Sequence, residues 1–366
     1  MPAAKPATKR TSRALVLAAI VVGALAMLLL AVYVWRQRQM SAIREQLAQN
    51  NAAAALELAT AHLTSKPGDQ RVQALKARAL VELKRWDEAC EIFARVGTRS
   101  AEETQAWATA LAQRRRWDEA ASLWSQVVQE DPQDASAWRQ LTTCQFEAGQ
   151  LADSLASAEK LAALPGRQAE GLFLSGVVLR QQGNTELAVE QWTRVAAIRP
   201  TGKDLPVDAS EFFLVFGEDL LAIDRPRAAL VQLTKSCELQ KTRAVQLRLA
   251  AAWAMLGEDA KAEALWKELL GNAAGDADWG SQDAFGQEAR RSLAETALRR
   301  AEPGEALEWL APLAESPRVS SATAYLMERS YTLLGDEEQL ALWQRRTFEL
   351  RESERQQAAL KRRLRE

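Results

Sequence analysis

The chain holds one histidine and three cysteines in 366 residues, and each scarcity removes a class of chemistry. Histidine is the commonest general acid and base and a principal zinc ligand, so His62 alone argues against proton relays and multi-histidine metal sites. It falls at an inward position of a weak helical hairpin, where packing is the expected role. Cys90, Cys144 and Cys237 are far apart and include no C-x-x-C pair, which argues against thiolate zinc sites and haem attachment. Each lies in a predicted helix. Cys90 follows Ala89 at a hairpin contact, where a thiol acts as a small apolar group, and no structural disulfide is expected. There is no G-x-S-x-G elbow, no phosphate-binding glycine loop and no H-E-x-x-H. Acidic pairs such as Glu102 with Glu103 sit on amphipathic helices as solvated faces. No catalytic residue, cofactor or metal site is expected.

Clustered positive charge is also scarce. Seven of the 47 basic residues precede Glu45, where no acidic residue occurs, so the remainder of the chain carries 40 basic against 48 acidic residues. Such a region is a poor match for a phosphate backbone, and nucleic acid is not an expected partner. The exception is the end, LKRRLRE, on a predicted final helix spanning 336–366. It reads either as a solvated cap or as a contact for anionic lipid or an acidic protein.

Charge is absent altogether from ALVLAAIVVGALAMLLLAVYVW, Ala14 to Trp35. About 20 apolar residues suffice for a helix to cross the hydrocarbon core, and Tyr33 and Trp35 stand where headgroups would be. A transmembrane helix over 14–35 is expected, preceded by a basic tail, 1–13. A cleaved signal peptide competes with this reading, but its A-x-A pattern, Ala24 and Ala26, lies in mid-run and the run is long for a signal. Lys5, Lys9, Arg10, Arg13 and the terminal amine precede the run, and Arg36, Arg38 and Arg44 follow it. The balance leans towards a cytoplasmic N-terminus, an inner-membrane span and a repeat domain outside the cytoplasm.

From Arg36 onward a pattern recurs about every 34 residues. Its clearest copies are RRWDEAASLWSQVVQEDPQD from Arg115, GNTELAVEQWTRVAAIRP from Gly183 and GEDAKAEALWKELLGN from Gly257. One unit, from Ala169, has Leu172, Gly176, Leu179, Gly183, Ala188, Trp192 and Pro200. Other units repeat the frame: Ala77, Leu80, Ala89 and Phe93; Ala108, Leu111, Ala120, Trp124 and Pro132; Gly217, Leu220, Ala229 and Leu233; Ala250, Trp253, Gly257, Ala262 and Trp266. Small residues stand where two helices would touch and bulky ones where repeats would meet. The pattern resembles the tetratricopeptide repeat.

That resemblance implies an all-α, right-handed superhelical solenoid of about nine helical hairpins over 36–335. Two spacings break the period and read as inserted loops, 201–208 and 271–286. The second contains Asp276, Asp278 and Asp283, but it lacks the closing glutamate of an EF-hand and reads as a solvated loop. The resemblance also implies that first helices line a concave groove. Carried over by register, its positions include Arg71, Arg78, Arg139, Phe146, Phe173, Arg180, Arg291, Arg299, Tyr325 and Arg329, with Val177, Leu214, Glu218, Leu247 and Met255 among them. Exposed Phe, Tyr and Arg are common binding hot spots, and Phe146 and Phe173 beside Arg139 and Arg180 form the expected anchor.

Some members of this family hold a C-terminal carboxylate with Lys and Asn, and these positions contain no Asn. The expected function is a membrane-anchored, non-enzymatic scaffold of a bacterial envelope assembly or secretion complex. It would bind an extended peptide or a helix in the groove. A carbohydrate or small-molecule sensor is the alternative, and self-association through the span and the final helix is a third reading.

Overall fold

The computed structural model describes Met27 and residues 38–271, 283–316 and 319–363. Apart from Met27, the expected membrane span at 14–35 lies outside these residues, and among the described residues no helix is long and apolar enough to cross a membrane. They form 18 helices and no strand. In order these are α1 (38–48), α2 (Ala52–Ser65), α3 (Gln70–Glu82), α4 (Trp86–Val96), α5 (Ala101–Gln113), α6 (Trp117–Glu130), α7 (Ala135–Glu147), α8 (Leu151–Ala163) and α9 (Gln168–Gln181). Then follow α10 (Thr185–Ile198), α11 (Ala209–Ala222), α12 (Pro226–Leu239), α13 (Arg243–Met255), α14 (Asp259–Gly271), α15 (Ala284–Arg299), α16 (Pro303–Ala314), α17 (Ser321–Leu334) and α18 (Glu337–Arg363). Odd and even helices pair into hairpins. The chain divides into two compact units, Met1–Gly171 and Leu172–Glu366.

All the hairpin turns use one backbone device. Each has a residue with φ between 56° and 83°: Asn50, Lys84, Arg115, Gly149, Gly183, Asp224, Gly257, Ala301 and Gly335. The next residue's N–H donates to the carbonyl five residues back, at 2.8 to 3.3 Å, as in Asn184 to Leu179 and Glu302 to Ala297. This bond closes the first helix by satisfying one of its terminal carbonyls. Glycine adopts the left-handed conformation freely, whereas Lys84, Arg115 and Ala301 occupy it against their side chains.

Within a hairpin the helices meet at the small positions. Ala77 and Ala89, Ala108 and Ala120, and Ala250 and Ala262 have no exposed surface. Thr142 and Ser154 occupy the same positions in the α7–α8 hairpin, and Ser154 Oγ donates to the Thr142 carbonyl at 2.8 Å. At Gly176 the approach is so close that a Cβ would stand 2.0 Å from Trp192 Nε1. The bulky residues nine places beyond the turn, Phe93, Trp124, Trp192, Leu233, Trp266 and Leu310, are all buried. They fill the space between helix layers.

First helices begin at side-chain caps, for example Asp69, Ser100, Asp134, Thr242 and Ser320, each accepting from a backbone N–H of the first turn. Two second helices begin instead with arginine paired to a first-turn glutamate, Arg85 with Glu88 and Arg116 with Glu119. His62 is buried, and its ring nitrogens face Gln39 Oε1 at 3.1 Å and Asp69 Oδ2 at 3.3 Å. It is a polar tie among α1, α2 and the cap of α3 as well as a packing residue.

The two expected loops differ in outcome. Residues 199–208 are non-helical, and Gly202 packs against Ala209 and Phe213 of α11. In the second, 272–282 lie outside the described residues, so Asp276 and Asp278 do too. The expected end at Gly286 is corrected: Ala284 to Gly286 form the first turn of α15. Asp283 caps that turn through Gly286 N–H at 2.8 Å and also accepts from Arg243 Nη2 at 2.5 Å.

The turn geometry makes a paired prediction. Ala301→Gly should raise stability by about 1 kcal/mol, and Gly183→Ala should lower it by a similar amount. Urea unfolding followed by circular dichroism reads both; equal losses from the two substitutions would contradict the left-handed assignment.

Candidate functional site

Successive first helices touch one another: α3 with α5 in one unit, and α11 with α13, α13 with α15 and α15 with α17 in the other. Among the described residues, no second helix packs comparably on the next second helix. The row of first helices is therefore the shorter, inner row within each unit. Side chains that leave this row towards solvent are close enough to meet across layers, and charged ones do.

In unit two they form a continuous ladder. Arg180 Nε on α9 lies 3.0 Å from Asp219 Oδ1 on α11, and its Nη2 lies 3.5 Å from Glu218 Oε2. Glu218 Oε1 accepts from Arg248 Nε on α13 at 2.9 Å, and Arg248 Nη1 reaches Glu288 Oε1 on α15 at 2.5 Å. Burial alone would lower Arg248, but its hydrogen bonds to Glu218 and Glu288 hold it above the ordinary arginine value. Asp219 is buried, its Oδ2 has no hydrogen-bond partner among the described residues, and burial pushes its carboxyl above the usual range despite Arg180.

Two hollows open on this row. One of about 440 Å³ lies between α11 and α13, lined by Glu218, Leu221, Ala222, Arg248, Ala251 and Met255. Met255 is 45% exposed, an apolar side chain left in water beside an ion pair. The other, of about 200 Å³, lies where α9, α10 and α11 meet the 199–208 loop and includes Phe173, Val177, Arg180, Val207 and Glu211. Unit one has a separate open hollow of about 600 Å³ between α1 and α2, beside His62.

The expected groove residues are placed as follows. Phe173 is corrected from exposed anchor to buried floor, because its ring meets Phe212 edge-on at 6.1 Å and its carbonyl accepts from Trp192 Nε1 at 3.4 Å. Phe146 is half-buried on α7. Leu247 is buried in the core of its hairpin, not in the groove. Arg139 pairs with Glu170, which Arg167 also approaches at 3.3 Å. Arg291 donates to Ser320 Oγ at 3.3 Å, and Arg299 Nη2 lies 2.7 Å from Asp259 Oδ1. Arg78 faces Glu82 of its own helix at 4.0 Å. Tyr325 is exposed with Arg351 stacked 5.4 Å from its ring centre. Arg71 and Arg329 are exposed.

Most of these arginines thus tie one helix layer to another. Register gave their positions but not their partners, since Glu170 is 31 residues beyond Arg139 and Asp219 is 39 beyond Arg180. Asp219, Arg248 and Glu288 were not singled out by the spacing. The only available signal was the recurrence of opposite charges on first helices one repeat apart.

Two family models described as tetratricopeptide repeat match the chain, one over residues 46–114 and the other over 106–167 and 145–203. A search of curated proteins gives no match. Among solved structures, a tetratricopeptide repeat protein from Parabacteroides merdae is similar at 16% identity, with 68% of this chain and 93% of that one covered and a TM-score of 0.50. YrrB, described as a TPR protein with an unusual peptide-binding site, is similar at 18% identity over 44% of this chain and 85% of its own, with a TM-score of 0.41. The C-terminal part of a TPR repeat-containing protein from Cytophaga hutchinsonii is similar at 17% identity over 77% and 97%, with a TM-score of 0.40. At these identities the likeness is one of fold. Over residues 46–203 the hairpins match tetratricopeptide repeat models, and the later hairpins repeat the same turn geometry.

The raised Asp219 carboxyl has a pH consequence. Its contribution to stability is whole below the unfolded-state value and is lost as pH rises through the folded one. Asp219→Asn removes the titration, so its stability relative to the parent should improve between about pH 3 and about pH 7. Urea midpoints at both ends measure this; a relative gain confined to the acid end would reverse the assignment.

Proposed function

We propose that this tetratricopeptide repeat chain is a non-enzymatic scaffold whose inner helix row holds an extended peptide or a helix of a protein partner. The observation that carries the reading is the α11–α13 hollow, where Met255, Leu221 and Ala251 offer apolar surface beside the fixed charges of Glu218 and Arg248. Apolar contact with oriented polar groups at its edge suits a docked polypeptide. Tetratricopeptide repeats are interaction modules, which agrees with it.

The scaffold is held at the membrane by residues 14–35, with the repeats outside the cytoplasm, and serves an envelope assembly or secretion complex. The support is the uncharged run and the charge balance around it. The carbohydrate alternative needs exposed aromatic faces. It is disfavoured because Phe173 is buried and Tyr325 has Arg351 over its ring.

Two outcomes follow. Deleting 14–35 should move the protein from the membrane fraction to the soluble one. In intact cells whose outer membrane is permeabilised, an impermeant maleimide should label Cys237, which is partly exposed, while the buried Cys90 and Cys144 stay unlabelled. Labelling only after lysis would put the repeats on the cytoplasmic side.

Cross-linking in living cells, with recovery through a C-terminal tag, should capture a specific protein that is lost when Ala222→Glu and Met255→Glu are introduced together. Both positions are exposed, so the fold should survive. Capture that ignores the substitutions would move the interface elsewhere, and absence of any specific capture would remove the scaffold reading.

A further inference from the structure

The smaller hollow has a chemistry of its own. Phe173, Val177, Trp192, Val207, Phe212 and Val215 make it an apolar recess, and the inserted loop supplies one wall through Val207. Its volume of about 200 Å³ equals roughly seven waters at about 30 Å³ each. That is room for one large aliphatic side chain and too little for a helix.

Two charged residues stand at the recess, and they are not equivalent. Arg180 faces Asp219 at 3.0 Å and Glu218 at 3.5 Å, so its charge is already answered within the protein. Glu211 is exposed and makes no ion pair or hydrogen bond among the described residues. The ladder beside it sets three carboxylates, Asp219, Glu218 and Glu288, against two guanidiniums, Arg180 and Arg248. The excess charge is negative, and Glu211 adds to it. Among the residues that line the recess the one cation, Arg180, is already paired, whereas a basic segment would meet the unpaired Glu211 directly.

We propose that this recess takes one aliphatic side chain of the bound partner segment, and that Glu211 holds a lysine or arginine next to that side chain. The proposal rests on the scaffold reading above and specifies the partner it fits: a basic segment with a single aliphatic anchor. The loop at 199–208, an interruption of the repeat in sequence, becomes the element that closes the recess.

The test selects a random peptide library displayed on phage against the full-length protein in mild detergent. The parent should enrich sequences with Leu, Ile, Val or Met beside Lys or Arg. Val215→Trp, which fills the recess, should weaken an enriched synthetic peptide by about tenfold or more. Glu211→Lys should weaken it similarly and, when reselected, should change the preferred neighbour to Asp or Glu.

Enrichment of acidic neighbours, or affinity indifferent to both substitutions but abolished by Met255→Glu, would overturn the recess assignment and leave the groove in place. If the parent enriches nothing, the groove reading itself fails, and the recess with it. Circular dichroism melts establish that the variants are folded. Because Glu211 is on the surface, its substitution decides the matter even if Val215→Trp unfolds.

Discussion

The close approach of two helices inside each hairpin is the constraint on which the rest depends. Ala against Ala, Gly176 beneath Trp192, or Ser154 bonded to the Thr142 carbonyl bring the backbones near enough for a short turn to join them. The turn then has one geometry, closed by a left-handed residue and a hydrogen bond five residues back. A larger side chain at the contact would spread the helices and break that closure, because a packed interior takes up added volume only by strain. Where the small residue is lost, the hairpin changes: Glu328 stands at this position in α17, and the final helix packs through Trp343 and Thr347 instead.

Once each hairpin has this width, stacking follows from the bulky residues on its far side, and the inner row follows from stacking. First helices of consecutive repeats come into contact, so side chains one repeat apart become neighbours. That proximity turns arginines into ties between layers. A guanidinium can meet two carboxylates at once, which suits it to bridge helices on either side, as Arg248 does between Glu218 and Glu288. Exposed ion pairs contribute little to stability singly. Their clearer effect here is geometric, because each pair fixes the orientation of two side chains on the inner row.

The same reasoning explains which expected binding residues changed role. Arg139, Arg180, Arg291 and Arg299 keep their places in the register, but each has a partner on a neighbouring layer or its cap. Phe173 is drawn inward because α11 brings three phenylalanines, Phe212, Phe213 and Phe216, into one aromatic cluster with Trp192. Burying these rings together removes a large apolar area from water, and edge-on geometry adds to it. No spacing rule within a single repeat contains that information.

The repeat, its phase and its helical class were legible in the chain itself, because the helix-to-helix contact is local. Residues twelve apart, such as Ala77 and Ala89, must both be small if a short turn is to join their helices, and that requirement leaves a pattern in any one unit. The scarcity of histidine and clustered cysteine, and the uncharged run at 14–35, were legible for the same reason: they depend on composition alone. The tertiary structure decided the charge ladder from Arg180 to Glu288, the buried floor made by Phe173 and the recess walled by Val207. Each joins side chains brought together by stacking, whose identities are constrained by neighbours one repeat or an inserted loop away and by nothing nearer.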